Sequence, residues 1–128
     1  MPALGDAAMP DPATAGKTLR LEARAEGQSR VLKASGQLTE GECGEFLEAL
    51  RRELKADAPR LVLDVDALLY LSSAGLGALV SAHQSFLNAN RRLVLAGVNP
   101  KVRKLLALTS LDKLIECADT VDEALKRP

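Results

Sequence analysis

Two short apolar runs of nearly the same composition, 60–65 (RLVLDV) and 92–98 (RLVLAGV), constrain this chain most. Each mixes Leu with β-branched Val and is too short for a buried helix, so each reads as a strand covered on both faces. Between them Leu76, Leu79, Val80, His83 and Leu87 fall on one side of a helical pattern that stops at Asn90, a residue suited to a left-handed turn. A buried strand, a helix and a second buried strand imply parallel pairing through a right-handed crossover.

The flanking segments extend this pattern. Residues 18–25 alternate Leu19, Leu21, Ala23 and Ala25 against Arg20, Glu22 and Arg24, as a half-buried strand does. After a turn at 26–28, residues 30–35 alternate again and end at Gly36, which predicts a hairpin. Thr39 is placed to cap a helix running to about residue 56, with Glu40 and Glu42 in its first turn and Phe46, Leu47, Leu50 and Leu54 as its apolar stripe. Asn99 and Pro100 open a further helix carrying Val102, Leu105, Leu106 and Leu108. A short last strand is expected at 113–116, and Thr120 and Glu123 have the spacing of a capping box. The order ββαβαβαβα predicts one α/β domain over 18–128. It would have a mixed sheet of about five strands, an antiparallel N-terminal edge and about four helices. Residues 1–17 (MPALGDAAMPDPATAGK) show no periodicity and read as a disordered leader.

Composition removes several function classes. Seventeen Lys and Arg balance seventeen Asp and Glu, so bulk charge does not hold this chain to nucleic acid or anionic lipid. Its aromatic residues are Phe46, Phe86 and Tyr70, too few for a base-stacking platform. Cys43 and Cys117 belong to no CxxC pair, and with a single His they cannot build an ordinary zinc site. Lone thiols fit a reducing compartment. No apolar run approaches the roughly 18 residues of a membrane span, and no signal peptide is evident. The expectation is a soluble cytoplasmic protein, without membrane insertion, cofactor or metal.

The familiar catalytic arrangements also fail. Ser73 and His83 stand ten residues apart on one helix, about 15 Å along its axis, too far for a nucleophile and its base. Leu71 occupies the first glycine position of a nucleophile elbow, and Val80 the third glycine position of a dinucleotide fingerprint. Asp64 and Asp66 read as a strand end and its turn.

What remains is LYLSSAGLGAL at 69–79, read as a loop that follows a buried strand and delivers Ser72 and Ser73 to a helix start. Ser73 has the type and position of an N-cap, and the plain structural reading is that both serines only cap the helix. This stretch resembles the STAS domain family, in particular the bacterial anti-sigma factor antagonists. Ser72-Ser73-Ala74-Gly75-Leu76 matches their phosphorylation motif. Gly36-Gln37-Leu38, the LVLDV strand and LVLAGVNPKVRKLLALTSLDKLI match other parts of the family pattern, over about residues 18 to 127. Two positions depart from it: Thr39 and Ser72 stand where the family often carries acids.

The resemblance implies a switch without catalysis of its own. Ser73 would be the phosphorylated residue, with Ser72 as the alternative acceptor. Partner contacts would lie at Gln37, Thr39, Ser72, Ser73, Ala74, Gly75 and Leu76, although the spacing of Leu76 also fits the core. The unphosphorylated form would bind an anti-sigma factor that is also a serine kinase, of the histidine-kinase-like ATPase fold, and so free a sigma factor. A serine phosphatase would reset the cycle, and a monomer is the simplest expectation. The alternatives are a STAS domain in another assembly (a stressosome scaffold or the cytoplasmic subunit of a lipid-transport ABC system) and a nucleotide-binding regulatory domain.

Overall fold

The computed structural model describes residues 18–127, so the leader read at 1–17 lies outside the described residues. Strands β1 (Leu19–Glu26) and β2 (Ser29–Leu38) form the predicted hairpin, paired from Leu19↔Gly36 to Glu26↔Ser29. Its tight turn places Gly27 at φ +62°, as the primed turns of hairpins require. The apolar face of β1 is covered only at its start: Leu19 is buried and Leu21 half-buried, while Ala23 and Ala25 are exposed.

The remaining strands are β3 (Arg60–Asp64), β4 (Leu68–Leu71), β5 (Arg92–Ala96) and β6 (Glu116–Ala118). The main order is β1-β2-β3-β5-β6, parallel everywhere except the hairpin. β4 is the sixth strand of the mixed sheet, formed where the sequence reads as a loop. It succeeds β3 alongside β2: β3 pairs with Arg30–Lys33, and β4 with Gly36–Leu38 across an irregular register. Its four residues show no alternation, because Leu68 and Leu71 are buried and Leu69 and Tyr70 exposed, which is why the sequence reads there as a loop. The last strand also begins later than 113–116. Ser110 turns left-handed at φ +61°, residues 111–113 coil into a 3-10 turn, and Ile115 enters the core first.

Among the described residues four α-helices complete the fold: α1 (Cys43–Lys55), α2 (Ser73–Asn88), α3 (Pro100–Leu108) and α4 (Val121–Lys126). Alternation in the central strands sorts side chains onto two faces. Leu61, Leu63, Leu93 and Leu95 join Phe46, Leu50, Leu79, Phe86 and Leu106 in the large core beneath α1, α2 and α3. Val62, Val94 and Ala96 join Ala124 in a small cluster beneath α4. Leu87 and Leu108, expected on apolar stripes, are exposed; Ala82 and Phe86 fill the α2 positions instead. Asn90 does adopt the left-handed conformation, at φ +59°. Among the described residues no helix is long and apolar enough to cross a membrane.

Candidate functional site

The end of β2 sets the site. Gly36 sits at φ +99°, where a Cβ would lie 2.1 Å from the Thr18 carbonyl, so only glycine closes β1 against β2 here. Two residues on, the Leu38 carbonyl accepts the backbone N–H of Ser72 at 3.1 Å, which docks the end of β4 onto β2. The same carbonyl would lie 2.4 Å from a Cβ on Gly75, and Leu71 Cδ1 would lie 2.7 Å away. Gly75 therefore lets the first turn of α2 ride directly on the sheet. Gly77 faces open space.

The cap of α2 is Ser72, which corrects its assignment to Ser73. Ser72 has extended backbone, φ −87° and ψ 174°, and its hydroxyl accepts the Gly75 N–H at 3.1 Å. An N-cap is typically extended, and Ser72 keeps extended backbone just past the end of β4. Ser73 is the first helical residue. It is exposed, and its hydroxyl makes no hydrogen bond to the described residues. Ala74 is half-buried and Gly75 buried. Leu76, open on sequence grounds between interface and core, belongs to the core at 9% exposure.

Gln37 and Thr39, both half-buried, frame the other side. The Gln37 N–H donates to the Thr18 carbonyl at 2.8 Å. The Glu42 carboxylate accepts the Thr39 N–H at 2.9 Å and the hydroxyls of Thr18 and Thr39. These bonds, the Thr18 hydroxyl first, hold its pKa below the ordinary glutamate range. Where Thr39 stands in place of an acid, a carboxylate thus returns three residues later. Cys43, which the sequence shows only as a lone thiol, sits beneath the site. Its Sγ lies 3.2 Å from the Thr39 carbonyl and 3.5 Å from the Ala74 carbonyl, so it links the start of α1 to the start of α2. Burial, with Glu42 and Glu40 nearby, pushes this thiol's pKa up, away from reactivity. No local sequence pattern announces such a link between residues 31 apart.

The remaining candidates stay apart from this site. Asp64 accepts the Asp66 N–H at 3.1 Å, so it serves the turn after β3. His83 lies further along α2, with its Nδ1 buried and lacking a partner among the described residues.

The STAS domain family model matches residues 20–124. The chain belongs to this family. A STAS-domain containing protein of Pseudomonas aeruginosa (strain UCBPP-PA14) is 29% identical over 92 residues, covering 72% of this chain and 90% of the relative. An anti-sigma factor antagonist from Mycobacterium paratuberculosis superposes with a TM-score of 0.76 at 23% identity, covering 84% of this STAS domain protein and 91% of that structure. The Bacillus cell fate determinant SpoIIAA, in its phosphorylated form, superposes at 0.64 with 19% identity, covering 85% and 97% of the two chains. At these identities the likeness to the solved structures is one of fold.

Proposed function

We propose that this STAS domain is an anti-sigma factor antagonist, a protein-interaction module switched by phosphorylation of Ser73 and without catalysis of its own. Its unphosphorylated form binds an anti-sigma factor with serine kinase activity in the cytoplasm and frees the sigma factor. The kinase then transfers the γ-phosphoryl group of ATP to Ser73 Oγ, ADP leaves, and the complex separates. A serine phosphatase restores the hydroxyl. A shared fold does not by itself carry a function, so the reading rests on the site.

One observation carries it: Ser73 is exposed and uncommitted while its neighbour Ser72 does the capping. A phosphate brings about −1.5 to −2 charges near neutral pH. At the first helical residue the backbone N–H groups and the helix dipole tolerate that charge. In a packed interface the same charge must be desolvated against the partner. The fold survives phosphorylation and the complex does not.

Intact-mass measurement after incubation with ATP and purified candidate serine kinases tests this. The wild-type chain gains one phosphate, Ser73→Ala gains none, and Ser72→Ala still gains one. A Ser73→Ala protein phosphorylated at the wild-type rate rejects the assignment. Tight ATP or GTP binding in calorimetry, without phosphate transfer to Ser73, would favour the nucleotide-binding alternative.

A further inference from the structure

Among the described residues β4 pairs with β2 alone, and its two middle side chains are left outside the core: Leu69 is 72% and Tyr70 56% exposed. A single exposed leucine is ordinary. Here two consecutive large apolar side chains lie on the strand that runs straight into the acceptor, with Tyr70 three residues before Ser73. A second observation concerns charge. In a chain whose residues are 27% charged, no Asp, Glu, Lys or Arg occurs between Asp66 and Arg91. That span holds β4, both serines and all of α2. Ser73, Gly77 and Ser81, on the exposed side of α2, are small and uncharged.

An ionised group pressed against Leu69 and Tyr70 would lose its hydration and gain no counter-charge from these two side chains. The complement to such a surface is therefore uncharged and apolar. We infer that Leu69 and Tyr70 form the docking surface for the kinase that modifies Ser73, received by an apolar patch on that partner. The inference rests on the function proposed above and adds where the partner holds on. It also explains why a phosphate on Ser73 would release the partner: the new charge enters the rim of an apolar contact.

Steady-state phosphorylation of the full chain by a serine kinase that labels wild-type Ser73 tests this, with chain concentration varied. Leu69→Ser and Tyr70→Ser are expected to raise KM about tenfold each while leaving kcat unchanged, as losing an interface anchor does. Leu114→Ser, which removes a side chain 59% exposed on the turn before β6, serves as control and leaves both constants unchanged. Unaltered KM in the β4 variants overturns the inference while the switch itself stands. A wild-type dimer in sedimentation that Leu69→Ser dissolves, again with unaltered KM, assigns the surface to a second copy and also overturns it. A wild-type chain that no kinase labels at Ser73 rejects the switch, and this docking role with it.

Discussion

Two serines and two glycines within six residues have different tasks, and single substitutions separate them. Ser72→Ala removes the hydroxyl that accepts the Gly75 N–H, so it is expected to cost about 1 kcal/mol in chemical denaturation while leaving Ser73 exposed. Ser73→Glu puts a negative charge where no hydrogen bond is lost. The expected outcome is weaker partner binding in calorimetry with a melting temperature close to wild type; a protein that unfolds instead would show that the serine is structural. Gly75→Ala drives a Cβ toward the Leu38 carbonyl, a backbone atom that cannot move aside cheaply, and is expected to cost about 2 kcal/mol or more. Gly77→Ala meets nothing and gains helix propensity, about 0.5–1 kcal/mol of stability. The motif itself is legible in the sequence because its residue types and spacing are local. The division of labour is not. Which serine caps depends on where the extended strand stops, and that is set by the hydrogen bond from Ser72 to Leu38, a residue 34 positions earlier in the chain.

Elements defined by their own periodicity are the ones the sequence shows well. The paired LVL strands, the helix between them and the Asn99-Pro100 helix start all stand where the pattern puts them. Elements held by contacts elsewhere are missed. β4 exists because β2 continues past the end of β3 and offers it an edge, and β6 starts late because the chain after Ser110 coils to bury Ile115. Glu42 shows the same dependence on distant contacts. The sequence marks it as a first-turn acid of a helix, yet its carboxylate joins the start of β1 at Thr18 to the end of β2 at Thr39. Because these bonds need the ionised form, its folded pKa lies below the ordinary value of 4.5, so folding favours the deprotonated state. The stability this supplies is present above the unfolded pKa and lost as pH falls through the folded one. Wild type is therefore expected to melt higher than Glu42→Gln near pH 7, with the two melting curves converging as pH is lowered below 4.5. A gap in melting temperature that stays constant down to acid pH would show that the carboxylate charge contributes nothing.

At the scale of the molecule the two ends of the sheet hold different features. Ser73 lies where β2 and β4 finish, and the start of β3 lies at the other end, where Arg60 holds the last helix. One Arg60 amino group donates to the carbonyls of Ala124 and Leu125 at 3.0 and 2.9 Å, and the other to that of Arg127. Six residues are too few for a helix to persist in water on its own. α4 is fixed by this clamp and by the small Val and Ala cluster beneath it, whereas α1, α2 and α3 share the large core. The two faces are thus separate in packing, and losing one helix need not disturb the other layer. Arg60→Met keeps the apolar stem and removes the donors. Amide exchange at residues 121–126 should then accelerate strongly while Leu63 and Leu95 in the central strands keep their protection. Ser73 should be phosphorylated at the wild-type rate in the same protein, because neither the Ser72 cap nor the Leu38 contact touches α4. A slowed phosphorylation rate in Arg60→Met, with protected central strands, would instead show that the two ends are coupled through the sheet.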